Sequence, residues 1–412
     1  MPTAYIGAPF VLKTNAPSGS RTQSTPSHGQ KVLFGQFRKA KCTPIFAVAR
    51  YLGNNLTEDM KYIDIANKKL DEMRAREDIL ILAIESSCDE TAVAVMRGRQ
   101  LLSNVIASQI DIHKRFGGVV PEIASRNHTM AIDNVTKQAL EEANVKLDEV
   151  DCIAVTYGAG LLGALLVGVS YAKALAYATQ KPLIAVNHIK GHIAANYIAK
   201  PDLEPPYLCL IASGGHTTIA YVKSLTEVEI KGTTQDDACG EAFDKVARVL
   251  GLPYPGGPQI EKLAKEGEAN IILPTPYKDK DTYDFSYSGI KTAVINYAHK
   301  CEQKGEELRR ADLACSFQEK VTDIMVDNTL RCAVDMKVNT VVIAGGVGAN
   351  GVLREKMERR AKEKGIKVFY PPLKLCTDNG AMIASQAYNM IKSGARSSDI
   401  DLDANANLKV ID

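Results

Sequence analysis

The chain has 412 residues, 45% hydrophobic and 24% charged, an ordinary globular composition with room for more than one domain. A net charge of +2 excludes an overall basic field for nucleic acid, so an RNA partner requires a local patch or another subunit. Nine cysteines without CxxC spacing argue against a disulfide framework or a cysteine zinc site and for a reducing compartment.

Residues 1–57 contain no Asp or Glu, seven Lys or Arg, and many Ser, Thr and Pro. That composition fits an organellar transit peptide, a disordered tail, or a passenger segment ahead of an enzyme that begins near Asp78. Residues 58–78 are charged and helix-prone, and read as a solvated helix or linker. Ile79-Leu80-Ile81-Leu82-Ala83-Ile84 predicts a buried strand, followed by the turn Glu85-Ser86-Ser87-Cys88-Asp89-Glu90 and a second strand from Thr91. The charge-free run 152–172 contains Gly158, Gly160, Gly163 and Gly168. It divides into strand, glycine turn and helix, and reads as buried core instead of a membrane span. Its Gly158-Ala159-Gly160-Leu161-Leu162-Gly163 matches GxGxxG, but no Asp or Glu follows before Asp202 to hold a ribose. The glycines are therefore expected to serve helix packing, not a dinucleotide.

Next comes the apolar strand 182–186, and directly after it Asn187-His188-Ile189-Lys190-Gly191-His192. With Asn187 capping a helix, His188 and His192 share one face, one turn apart, and can chelate a transition metal or form a packed pair. A candidate third ligand lies in Leu375-Cys376-Thr377-Asp378-Asn379-Gly380. Two histidines and a carboxylate leave positions open, as catalytic sites do. A zinc peptidase is disfavoured, because Ile189 stands where that motif places its glutamate base.

A second strand, polar turn and strand unit follows: 207–212, then Ser213-Gly214-Gly215-His216, then 217–222. Two such units suggest a duplicated α/β fold with one anion-binding loop from each half facing a shared cleft. Asp237, Glu241 and Asp244 are expected on one helix face, with Asp244 the favoured ligand contact, and the rigid Tyr254-Pro255-Gly256-Gly257-Pro258 follows. Late in the chain, the strand 340–344 leads into Gly345-Gly346-Val347-Gly348-Ala349-Asn350 and a helix, a loop that lets a ligand ring approach backbone. This arrangement resembles the actin, hexokinase and chaperone ATPase superfamily (ASKHA), with duplicated RNase H-like halves and a nucleotide cleft between two lobes. The lobes are expected at 79–205 and 206–412.

Together with Gly117-Gly118-Val119-Val120-Pro121-Glu122, Asp284-Phe285-Ser286-Tyr287-Ser288-Gly289 and Cys376-Thr377-Asp378-Asn379, these motifs resemble the universal tRNA threonylcarbamoyl transferase family, TsaD in bacteria. The resemblance runs from about residue 79 to 392. It implies transfer of the threonylcarbamoyl group of threonylcarbamoyl-AMP to N6 of adenosine 37, next to the anticodon, in tRNAs reading codons that begin with A. By the same resemblance, His188, His192 and Asp378 match ligands of one divalent ion, Fe2+ favoured over Zn2+. Ile211, Ala212, Ser213, Gly214, Gly215, Asp244, Gly257, Glu261 and Asn350 match substrate contacts. Asp89 and Glu90 match the acidic end of the first loop, and either is a candidate proton acceptor. Implied partners are tRNA and companion proteins of the TsaB and TsaE type, or a second copy in an organellar homodimer, with no membrane. The implied location is the cytoplasm, or a mitochondrial or plastid matrix if 1–57 is a transit peptide. For tRNA, the basic groups are His113, Lys114, Arg115 and Arg126, and a helical cluster of Arg354, Lys356, Arg359 and Arg360. A metabolite kinase of the same superfamily and a non-catalytic nucleotide-binding scaffold are the rival readings.

Overall fold

The computed structural model describes residues 61–277 and 281–410; the acid-free segment 1–57 lies outside them. Helix α1 (Tyr62–Met73) precedes β1 (Leu80–Glu85), β2 (Glu90–Arg97), β3 (Gln100–Ser108), α2 (Pro121–Glu142), β4 (Cys152–Gly158), α3 (Leu162–Thr179), β5 (Leu183–Asn187) and α4 (His188–Ala199). The second half runs β6 (Tyr207–Ala212), β7 (Thr217–Val222), β8 (Val228–Thr233), α5 (Cys239–Val249), α6 (Gly256–Ala264), α7 (Ser288–Lys304) and α8 (Arg310–Asp335). It closes with β9 (Thr340–Ala344), α9 (Gly351–Glu363), β10 (Lys367–Phe369) and α10 (Gly380–Lys392).

The two sheets have the same plan. The first is ordered β3-β2-β1-β4-β5 and the second β8-β7-β6-β9-β10. In each, the first three strands form an antiparallel meander and the fourth and fifth join in parallel. The expected duplication is thus present in strand order and direction. The central strands β1 and β6 are buried along their whole length, as strands covered on both faces must be.

What covers those faces is less regular. One face of the first sheet packs against α2 and α3. Its other face is closed by Ala381, Met382, Ala384, Ala387 and Ile391 of α10, a helix from the second half. Reciprocally, Ile189, Ile193, Ala194 and Tyr197 of α4, from the first half, pack on Cys209, Ile211 and Val342 of the second sheet. The halves therefore exchange their last helices, and α4 and α10 lie together between the sheets. At their crossing a Cβ on Gly191 would stand 2.8 Å from Ile383 Cδ1, and Ser385 Oγ donates to Ala194 O at 2.8 Å. A boundary at 205/206 separates the two sheets but cuts through both cores.

Two further expectations are corrected by packing. Helix α1 is not a solvated linker: Tyr62, Ala66, Leu70 and Met73 are buried against the first sheet and its helices. Their 3–4 residue spacing is an amphipathic stripe, masked in sequence by the lysines and acids between. Asp237 lies ahead of α5 instead of sharing its face, and accepts from Lys245 and Lys291. The apolar α3 is long enough to cross a membrane by composition, yet Leu165, Val169, Ala172 and Leu175 are buried. Gly168 does what the sequence suggested, since a Cβ there would meet Ser86 Oγ at 2.3 Å; in the turn ahead of α3 a Cβ on Gly160 would meet Ser87 O at 2.6 Å.

Candidate functional site

The exchanged helices start beside each other; the first residues of α4 carry the histidines, and the carboxylate stands just ahead of α10. Asn187 caps α4, its side chain accepting from Ile189 N at 2.9 Å and Lys190 N at 3.3 Å. That cap places His188 and His192 on successive turns facing the segment before α10. Asp378 Oδ1 lies 3.1 Å from His192 Nε2 and 3.6 Å from His188 Nε2. One ligand atom from each of the three residues falls within 4.8 Å of the other two. Asn379 caps α10 by accepting from Met382 N at 3.0 Å, so the backbone beside Asp378 is fixed as well.

The donor set fits a metal. His192 is 1% exposed; its Nδ1 is buried without a hydrogen-bond partner among the described residues, and its Nε2 has the Asp378 carboxylate beside it at 3.1 Å but no well-aligned hydrogen bond. Buried polar atoms left this way normally have a partner that protein alone does not supply. Burial opposes charge on His188, but the carboxylates of Asp378 and Glu85 outweigh it and raise the imidazole to about 9. Burial likewise opposes ionisation of Asp378, yet His188 and His192 hold it down at about 2. A concentrated pair of opposite charges is what a cation replacing the histidine proton would meet.

Glu85, which closes β1 at the first loop, is a site residue that its sequence context does not by itself reveal. It is fully buried at the end of β1 and lies 3.1 Å from His188 Nδ1. The available signal was a charged residue closing an otherwise apolar strand. His216 was passed over too; burial, with the His188 and His192 charges next, pushes it down to about 4, so it is neutral at pH 7.

Around this centre the first hairpin loop meets the α5–α6 region of the second half. Asp89 is 6% exposed, and Tyr254 of the second half donates to its Oδ2 at 3.4 Å. Burial, then Asp89 and Asp378, push Glu90 up to about 10, which leaves it protonated at neutral pH. Arg248 of α5 donates to Gly117 O across the same gap. Asp244 accepts from Gly256 N at 2.6 Å, and burial raises its carboxyl to about 6. A Cβ on Gly214, Gly215 or Gly257 would meet nothing within 4 Å, so all three present open backbone. Ile211 and Ala212 are fully buried in β6, which leaves them only backbone groups for a ligand.

Other candidates are engaged within the protein. Asn350 caps α9 through Leu353 N at 2.9 Å, and its amide donates to Gln318 at 3.0 Å and Glu261 at 3.4 Å. Glu261 also accepts from Gly351 N at 3.1 Å. The basic cluster on α9 turns inward: Lys356 is 6% exposed beside Glu319 and Asp323, and Arg360 pairs with Asp323 and Asp327. Arg354 lies 4.2 Å over the Tyr370 ring and donates to Gly348 O at 2.6 Å. Only Arg359 of that cluster is exposed. On the other side His113 is fully buried, whereas Arg115 and Arg126 are exposed.

The pattern of the TsaD family, tRNA N6-adenosine threonylcarbamoyltransferase, matches residues 100–385. A Clostridium botulinum protein of that description is 58% identical over 337 residues, covering 81% of this chain and 99% of its own. The Clostridium perfringens protein is 55% identical over 333 residues, covering 80% and 98%. The chain belongs to this family. It is therefore a transferase that modifies tRNA, carrying threonylcarbamoyl to adenosine N6, and not a kinase or a scaffold. Among solved structures, full-length HypF in its phosphate- and nucleotide-bound form superposes with a TM-score of 0.54 at 17% identity, over 78% of this chain and 47% of that one. The HypF of T. kodakarensis gives 0.52 at 14% identity, over 77% and 48%. The likeness is one of fold: two RNase H-like halves of the actin, hexokinase and chaperone ATPase kind.

Proposed function

We propose that the chain transfers the threonylcarbamoyl group of threonylcarbamoyl-AMP to N6 of adenosine 37, in tRNAs reading codons that begin with A, at the cleft between the hairpin loops. The observation that carries this reading is the convergence of His188, His192 and Asp378 at the start of the two exchanged helices, with His192 buried and its Nε2 facing the Asp378 carboxylate. These three residues hold one divalent ion, Fe2+ favoured over Zn2+. When bound, it supplies Lewis acidity toward the carbonyl or the departing phosphate.

The remaining work falls to the chain's own groups. Backbone N–H groups of Ser213, Gly214 and Gly215 cradle the phosphate. The nucleoside lies along the Gly345 loop, whose shape Asn350 and Glu261 maintain, with Gly257 and Asp244 facing it from α5 and α6. The amine of adenosine is weak, because its lone pair is delocalised into the ring, so positioning carries much of the rate. As N6 forms its bond to the carbamoyl carbon, the bond to the phosphate oxygen breaks and AMP leaves. The N6 proton passes to the carboxylate pair of Asp89 and Glu90 at the end of the first loop. Lys114, Arg115 and Arg126 offer phosphate contacts for tRNA beside the cleft.

Companion proteins of the TsaB and TsaE type, or a second copy, complete the assembly. The cytoplasm is the proposed location, with an organellar matrix tied to segment 1–57. The deciding experiment measures bound iron and zinc together with threonylcarbamoyl-adenosine formation on tRNA, in the wild type and in His188→Ala, His192→Ala and Asp378→Ala. Full metal occupancy in all three variants would overturn the site.

A further inference from the structure

Glu85 sits where a carboxylate is costly. It is 0% exposed at the end of β1, beside the equally buried Thr156 of β4. A buried carboxylate accepts and never donates, so every polar neighbour must present a proton. Ser87 N donates to Oε1 at 2.6 Å, and Thr156 Oγ1 donates to Oε2 at 2.5 Å. The remaining neighbour of Oε2 is His188 Nδ1, at 3.1 Å. For that contact to be favourable the imidazole proton must reside on Nδ1. When a cation replaces the second proton and the ring is neutral, Nε2, on the far side of the ring, carries the lone pair, and it is Nε2 that faces Asp378.

We propose that Glu85 is a positioning residue of the metal centre: its carboxylate fixes the tautomer and ring angle of His188 so that Nε2 points at the ion. The inference rests on the ligand reading of His188, His192 and Asp378. A ligating imidazole commonly donates its other N–H to a carboxylate, which orients the ring and raises its basicity. The two other donors to Glu85 serve that end. Thr156 and the backbone of Ser87 hold the carboxylate still, and Ser87 Oγ stands 3.1 Å from the same Nδ1. A purely structural residue would need no histidine partner, and an apolar residue would finish this strand as the preceding five do.

The test titrates metal-stripped, full-length protein with Zn2+ against a competing chelator, with thermal melting in parallel. Wild type, Glu85→Gln, Thr156→Val and His192→Ala are compared. Glu85→Gln should bind Zn2+ about 10–100-fold more weakly than wild type. Thr156→Val removes a donor from the same carboxylate but keeps the His188 contact, so it should stay within roughly threefold. A folded Glu85→Gln with wild-type affinity overturns the proposal, as does Thr156→Val losing as much as Glu85→Gln, since packing alone would then explain both. If Glu85→Gln does not fold, 15N chemical shifts of His188 in Zn-loaded wild type decide. A proton on Nδ1 with the ion on Nε2 supports the proposal, and the reverse overturns it. Failure of the underlying site looks different: wild type would take up no stoichiometric Zn2+, or His192→Ala would bind as wild type does.

Discussion

Removing α1 should unfold the protein, although every family motif lies beyond it. Two chains are compared, one beginning at Lys61 and one at Asp78. The shorter chain loses Tyr62, Ala66, Leu70 and Met73, which are 7%, 0%, 0% and 5% exposed. It also loses the hydrogen bonds from Tyr62 to Lys181 O at 2.8 Å and from Lys69 to Gln180 O at 2.7 Å. Burial of a large apolar side chain contributes roughly 1.5–3 kcal/mol, so Tyr62, Leu70 and Met73 together account for about 5–9 kcal/mol. Domains commonly have about 5–15 kcal/mol in total, and the loss also bares the surfaces of Ile79, Ile81 and Met96 that α1 covered. The assay is urea unfolding followed by circular dichroism, with yield of soluble protein beside it. The chain from Lys61 should unfold cooperatively, and the chain from Asp78 should be insoluble or unfold at much lower urea. A chain from Asp78 with an unchanged midpoint would refute the assignment of α1 to the core.

Three shorter predictions follow from the site. His192→Ala should lose bound iron or zinc and tRNA modification while melting within a few degrees of wild type, and metal analysis on the purified variant checks it. Asp244 has its carboxyl raised to about 6 by burial, so it favours the fold while protonated; that contribution is complete below its ordinary value and fades as pH rises through 6. Its ionised form is the better acceptor for a ligand hydroxyl, so AMP affinity should rise between pH 5 and 7 in wild type and stay flat in Asp244→Asn, measured by calorimetry. Asn350→Ala removes a helix cap worth about 1 kcal/mol, and should lower both the melting temperature and AMP affinity without releasing metal. Metal loss would show that the two sites are not separate.

The histidine pair could be read from sequence because everything that places it is local: a strand end, an asparagine cap and a spacing of four. The two hairpins were legible for the same reason, an apolar run broken once by small polar residues. What sequence could not show was partnership at a distance. The basic residues of α9 resemble a nucleic-acid patch until α8 supplies Glu319, Asp323 and Asp327 beside them. Asn350 has the chemistry of a base contact, yet α9 needs its oxygen as a cap. Glu85 gained its meaning only when β5 and α4 brought His188 against it. The charged exterior of α1 hid four buried side chains for a related reason, since a narrow stripe on a short helix is outweighed in composition by its lysines and acids.

The exchange of α4 and α10 has a consequence for how the chain comes off the ribosome. Residues are delivered in order, and the first half emerges with Ala83, Ala94 and Ala154 on a face whose cover is incomplete until α10 is made. Its own final helix is meanwhile shaped for a sheet not yet made. Neither half can finish folding before the other is present, so the two form a single cooperative unit despite their repeated plan. Until α10 arrives the nascent first sheet presents an apolar surface to solvent or to a chaperone, as incomplete intermediates of large chains do.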